Sequence, residues 1–354
     1  MRFFDAHCDT VMRALHSGLD FVRGGHGHSD LPRLRAAGAC AQLFAVFVVE
    51  ANQPGRDMRA YADYVISVIL GWLAQSEGAM RLALTAGDFR TLGQDDTLYA
   101  LLGLEGADPL GGNAEELAHF YYLGVRSITP AWDDNAFAGT PFGANGGLTA
   151  EGFRLIEVAE ALRVMVDVSH LSDDAFWQVV DIAQRPFIAS HSNCRALCPS
   201  PRNLSDDMLR ALAHRGGVAG INLAPDYLEP GYQAAWDAIA YPTRATMNDI
   251  TDLDVREHLR RQAVQRLSDL PRPGIDWVVR HIQHLIRVGG EDCVGLGGDL
   301  DGIWFLPAGM TGIESYPQLA DALCQAGLTA NQVEKVCWRN MARVFTDVLA
   351  ADQT

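Results

Sequence analysis

Short apolar runs alternate with helix-length amphipathic stretches along almost the whole chain, and this rhythm constrains the fold more than any other feature. Eight runs have strand character: Phe3–Cys8, Ala41–Val49, Tyr99–Glu105, Val125–Pro130, Val164–His170, Phe187–His191, Val218–Leu223 and Val294–Asp299. Helix-length segments lie at Asp57–Leu73, Ala114–Tyr122, Thr149–Leu162, Asp173–Ala183, Asp206–His214 and Trp277–Val288, and Asn331–Leu349 closes the chain. Ser172-Asp173-Asp174 and Ser205-Asp206-Asp207 carry the oxygens that take up free amides at helix starts. Strand then helix, eight times over, predicts a (β/α)8 TIM-type barrel of the α/β class. A doubly wound open sheet is the alternative, but no Gly-rich fingerprint follows the first strand.

No Ser/Gly linker, low-complexity tract or further repeat divides the sequence, so one barrel domain over 1–354 is expected. The longest irregular interval, about 225–273, is rich in Pro, Tyr and Asp and includes a charged helix-like piece at Asp254–Leu267. It reads as an elaborated loop near the mouth of a site.

Charge narrows the partners. With 28 Lys+Arg against 44 Asp+Glu the net charge is −16, which argues against nucleic acid or an anionic membrane surface and favours small molecules. The first strand begins at once, and no uncharged apolar run approaches the roughly 18 residues of a membrane span, so a cytoplasmic protein without a membrane anchor is expected. The 7 cysteines are scattered and odd in number, as for reduced thiols, and Cys194 and Cys198 lack a second close pair to complete a zinc knot.

The strand ends carry the chemistry. His7 and Asp9 are two residues apart, so on a strand they present an imidazole and a carboxylate to one side. Glu105, His170, His191 and Asp299 end four other expected strands. In barrels the chemistry sits at the C-terminal rim, where side chains from different strands converge. His7, Asp9, Glu105, His170 and His191 together suit zinc or a similar divalent ion, and a Glu can bridge two cations ~4 Å apart. His26 and His28 read as exposed loop polarity, and His281 and His284 as structural residues on a helix face.

Six segments then resemble the membrane (renal) dipeptidases of metallopeptidase family M19: Asp5-Ala6-His7-Cys8-Asp9, Gly103-Leu104-Glu105-Gly106, Asp167-Val168-Ser169-His170-Leu171-Ser172, Ser190-His191-Ser192, Pro201-Arg202-Asn203-Leu204 and Val294 to Gly302. The resemblance covers nearly the whole length and includes the Gly147-Leu148-Thr149 helix start. It implies a barrel with a two-zinc site in which His7 and Asp9 bind one ion, His170 and His191 the other, and Glu105 bridges both. Two zinc ions sharing one water lower its pKa and supply hydroxide, so no Ser or Cys nucleophile is needed. Asp299 matches the family's acid/base residue, and Arg202 a substrate-contacting Arg suited to a carboxylate or an oxyanion.

The implied function is a zinc-dependent dipeptidase, with C-terminal D-residues among its substrates and a homodimer as its assembly. Strand four departs from the family: in Ser127 to Asn135 the family's His has no counterpart, so Trp132 or Asn135 is expected to shape that wall. Tyr227, after strand seven, is a further substrate-contact candidate, with plain packing as its alternative. The rival functions are another amidohydrolase-type metal hydrolase, acting on an N-acyl amino acid, cyclic amide or lactone, and a catalytically silent ligand-binding relative.

Overall fold

A computed structural model describes residues 1–25, 27–49, 55–143, 146–248 and 253–350. Its strands are β1 (Phe3–Cys8), β2 (Ala39–Phe47), β3 (Met80–Leu82), β4 (Leu98–Glu105), β5 (Val125–Thr129), β6 (Met165–Val166), β7 (Ile188–Ala189), β8 (Val218–Ile221) and β9 (Val294–Leu296). All pairings are parallel, in the order β6-β5-β4-β2-β1-β9-β8-β7. A single bridge between Asp167 and Ile188 joins the two ends. The result is the expected (β/α)8 TIM-type barrel, nearly closed. The ninth strand, β3, pairs with Leu98–Ala100 of β4, below the point where β5 takes over that edge at Leu102.

The five strands β5 to β9 are shorter than their apolar runs, and in three of them the difference concerns the site. The chain leaves the ladder before His170, His191 and Asp299, because aspartate side chains replace backbone carbonyls as acceptors. Asp167 Oδ1 accepts the amides of Ser169 at 3.0 Å and Ser190 at 2.9 Å. Asp5 does the same across β1 and β9, with Oδ1 accepting from His7 N and Oδ2 from Gly298 N, both at 2.9 Å. Tyr316 Oη also donates to Asp5, and Thr129 Oγ1 donates to Asp167 at 3.1 Å. These buried carboxylates therefore keep their polar neighbours satisfied while bending the rim backbone inward.

The interval 225–273 contains the charged helix expected at Asp254–Leu267, as Leu253–Ser268, but is more regular than the loop the sequence suggested. It is mostly helical, with helices at Pro225–Leu228, Pro230–Asn248 and Leu253–Ser268; residues 249–252 lie outside those described. Pro225 and Pro230 open their helices as first residues, where a missing N–H costs nothing. Short helices at Thr10–Ser17, Leu31–Ala37 and Ala86–Arg90 were likewise not legible in the periodicity.

The final helix, Asn340–Leu349, packs against β1, β6, β8 and β9. Its Phe345 stacks with Phe4 at 5.7 Å and Phe89 at 5.3 Å between ring centroids. Aromatic side chains thus plug the N-terminal end of the barrel. The opposite rim is left to hold polar groups.

Candidate metal centre

His7 points from β1, Asp9 begins the turn after it, and Glu105 ends β4, as expected. The other three rim residues stand on irregular backbone: His170 four residues beyond β6, His191 two beyond β7, and Asp299 three beyond β9. His170 and Asp299 adopt left-handed φ of 70° and 57°, and Asp301 follows at 68°. Non-glycine residues rarely occupy this region, and such strain concentrates where side-chain aim matters.

These turns bring the side chains together. Glu105 divides its two oxygens: Oε2 lies 3.3 Å from His7 Nε2, while Oε1 lies 3.0 Å from His170 Nε2 and 3.7 Å from His191 Nε2. Asp9 Oδ2 lies 3.5 Å from His7 Nε2. Three overlapping ligand groups result, each with its atoms within 4.8 Å of one another: His7, Asp9 and Glu105; Glu105, His170 and His191; and His7, His191 and Asp299. All are buried except His170 and Asp299, which are partly exposed.

The donor set fits divalent metal ions. Buried His7 Nε2 has no hydrogen-bond partner among the described residues. His170 and His191 bring their Nε2 atoms to 2.9 Å, somewhat closer than the ~3.3 Å that separates two nitrogens held tetrahedrally at ~2.0–2.1 Å from one ion. The tautomer of His191 follows from its other nitrogen. Nδ1 lies 2.6 Å from Ser190 Oγ, which donates its own hydrogen to Asp167 Oδ2, so Nδ1 carries the proton and Nε2 a lone pair.

Electrostatics point the same way. Burial, then His7 and Arg202, holds His191 well below its usual pKa, and burial with Arg202 lowers His170 to about 4. Burial and the Glu105 charge push Asp9 up to about 7. Burial resists charge on His7, yet Glu105 and Asp9 outweigh it and hold its pKa well above the usual value. Burial likewise opposes the Glu105 charge, but His7 and His170 keep that carboxylate ionised. The protein alone thus places a proton where the carboxylates call for a cation.

Asp299 accepts a 2.9 Å hydrogen bond from Asn222 Nδ2, and burial raises its pKa. Gly302 makes room for it: a Cβ there would lie 2.4 Å from Asp299 Oδ1 and 2.2 Å from Asp9 Oδ2. Arg202, 4% exposed, donates from Nη1 to Ser192 Oγ at 2.8 Å and from Nη2 to the His191 carbonyl at 3.1 Å. No ion pair involves it among the described residues, so its charge is left to an incoming anion.

A cavity of about 1140 Å³ opens over this cluster, lined by Asp9, Glu105, His170, Arg202 and Asp299 among others. Trp132 lines it, 5.0 Å from the Phe47 ring and 6.0 Å from the His170 ring, and Tyr227 lines it as well. Asn135 is not brought there. Its Nδ2 donates to Asp108 and the Pro130 carbonyl, and its Oδ1 accepts from Phe137 and Ala138, which fixes the loop after β5. His28 lines the cavity and is locked to Asp301 by reciprocal hydrogen bonds of 2.7 and 3.0 Å; His26 lies outside the described residues. His281 is structural, bonded to the Cys194 amide and the Leu228 carbonyl.

Asp5, Asp167, Ser190 and Asn222 support the cluster without having been singled out in the sequence. Asp5, Asp167 and Ser190 stand in the segments that carry the resemblance, whereas the one signal of Asn222 was polarity inside an apolar run, at Ile221-Asn222-Leu223. Among the described residues no helix is long and apolar enough to cross a membrane.

Known proteins resemble this chain over most or all of its length. An uncharacterised Klebsiella pneumoniae protein of the pqqA 5′ region is 35% identical over 292 residues, covering 80% of this chain and 94% of its own length. The crystal structure of an M19 metallopeptidase, dipeptidase AC, superposes with a TM-score of 0.83 at 26% identity and 99% coverage of both chains. A Rhodobacter sphaeroides metallopeptidase bound to a phosphinate mimic of L-Ala-D-Ala gives 0.82 at 25% identity, covering 98% of this chain and 99% of its own. The model of the membrane dipeptidase family, peptidase family M19, matches residues 1–354, and this chain belongs to that family of metallo-dipeptidases.

Proposed function

We propose that the protein is a zinc-dependent dipeptidase with two ions per chain, acting as a single barrel domain on small dipeptides that include those with a C-terminal D-residue. The observation that carries this reading is the division of Glu105, one oxygen 3.3 Å from His7 and the other 3.0 Å from His170. In it, His7 and Asp9 would hold one ion, His170 and His191 the other, and Glu105 would be shared between them. When bound, such a pair supplies Lewis acidity and brings the pKa of a shared water towards neutrality.

The chain's own groups do the rest. Arg202 receives the substrate's C-terminal carboxylate, for which its lack of an ion pair leaves a full positive charge. Asp299, steadied by Asn222, takes a proton from the attacking water and returns it to the departing amine. Trp132 and Tyr227 wall the cavity and exclude water from the scissile amide. The likeness to the enzyme that binds an L-Ala-D-Ala mimic supports the D-residue part of the reading.

The test combines metal counting with a substrate panel. Elemental analysis of chelator-free protein should return about two zinc ions per chain and a clear loss in Glu105→Ala. The wild type should cleave members of an L/L and L/D dipeptide panel. A zinc-loaded, folded preparation that cleaves none of them sinks the proposal.

A further inference from the structure

The reaction leaves one buried carboxylate in the cavity without a role. Asp226 sits on the short helix Pro225–Leu228 after β8, is 8% exposed, and lines the cavity. Its carboxylate makes no hydrogen bond or ion pair with another described residue. Such a group is costly to bury, because its own backbone amide replaces only part of its lost hydration. Burial, with Asp237 and Asp299 adding like charge, pushes it up to about 7.

Its surroundings suit an organic cation. Tyr232, on the helix Pro230–Asn248, has a buried hydroxyl with no hydrogen-bond partner among the described residues, and burial together with the charge of Asp226 pushes that hydroxyl up to about 12. One turn on, Trp236 packs 6.1 Å from the Tyr232 ring and 5.4 Å from the ring of Trp304, and both tryptophans line the cavity. A carboxylate beside aromatic faces attracts ammonium or guanidinium groups, and the apolar stem of a long side chain lies against the rings. Arg272, which also acts on Tyr232, is held elsewhere: it donates to the Leu306 carbonyl at 3.0 Å and lies over the Phe305 ring.

We infer that Asp226, which lines the same cavity as the linked rings of Trp236 and Trp304, is the receptor for a cationic side chain of the substrate, so that dipeptides bearing lysine, ornithine or arginine are preferred. This rests on the dipeptidase reading and deepens it. The volume of the cavity, about 1140 Å³, leaves room for a long side chain beside the dipeptide backbone.

The test compares substrates that differ in charge alone, Ala-Lys against Ala-norleucine and Lys-Ala against norleucine-Ala, on the metal-loaded enzyme. At one of the two positions kcat/KM should favour lysine at least about tenfold, with most of the difference in KM. Asp226→Asn should bring that ratio close to one, and Trp304→Ala should lower it severalfold. A ratio already near one in the wild type, or one that Asp226→Asn leaves unaltered, overturns the inference. Uniform loss on every substrate leaves the ratio unaltered and counts against it.

If no dipeptide is cleaved, the dipeptidase reading fails and binding decides the inference. Free lysine, but not norleucine, should raise the melting temperature of the wild type and not of Asp226→Asn. Equal shifts, or none, overturn it.

Discussion

Replacing Gly302 with alanine adds one methyl group, and its consequences can be worked out from the site. The new Cβ would lie 2.2 Å from Asp9 Oδ2 and 2.4 Å from Asp299 Oδ1, whereas non-bonded heavy atoms settle at roughly 3.5 Å. Both carboxylates must retreat by about 1 Å, and a displacement of that size at reacting groups costs about 10²-fold in rate. The backbone at Gly302 is not left-handed, so strain adds nothing there. Overpacking of this kind costs about 1–3 kcal/mol. With an unfolding entropy of about 2.1 cal/mol/K per residue over a chain this long, the melting temperature falls by only about 1–4 °C.

Gly302→Ala should therefore lose about 100-fold in kcat/KM and part of its metal while remaining folded. The assays are dipeptide hydrolysis, elemental analysis and a thermal melt on the same preparation. Gly309→Ala is the control: φ is 87° with nothing within 4 Å of the added Cβ, so it should cost about 1–2 kcal/mol and leave turnover alone. Wild-type turnover and metal content in Gly302→Ala would refute the assignment of Asp9 and Asp299 to one working centre.

Three further outcomes are expected. Ser190→Ala removes the hydroxyl between His191 and Asp167 and should weaken metal binding about 10–100-fold in chelator competition; unchanged affinity counts against the relay. Arg202→Lys should raise KM for dipeptides at least about tenfold with a smaller change in kcat, since lysine cannot reproduce the fork held by Ser192 and His191. The carboxyl of Asp226 is pushed from 3.8 up to about 7 in the folded protein, so the native state holds its proton more tightly than the unfolded chain. Its contribution to stability is present below pH ~4 and lost as pH rises to about 7, by up to about 4 kcal/mol. Asp226→Asn should consequently melt higher than wild type at pH 8 and no higher at pH 4; equal melting at both is the contrary result.

The strand-and-helix rhythm was enough to give the barrel, because parallel strands buried on both faces leave continuous apolar runs. β1 matches its run at both ends, and Glu105 ends β4 as its run suggested. The exits of β6, β7 and β9 were not legible. A run such as Val164–His170 continues the strand pattern, while the event that ends the strand is a hydrogen bond between Asp167 and Ser190, 23 residues on. β3 was too short to register, and prolines hid the helices after β8 by sitting at their first turns. The expected strand ends located the ligand candidates, and motif resemblance divided them between two ions. It was silent on Asp226 and Trp304, which come to line one cavity only through the fold.

The barrel is least securely hooped between β6 and β7, where one bridge and the side chain of Asp167 span a gap that seven register pairs fill between β2 and β4. His170 and His191 stand on opposite lips of that seam. A cation held between them works as a clasp on a split ring as well as a reagent. Drawing it out should loosen this joint ahead of the rest, with the amides around Val168 and Ser190 exchanging their hydrogens first.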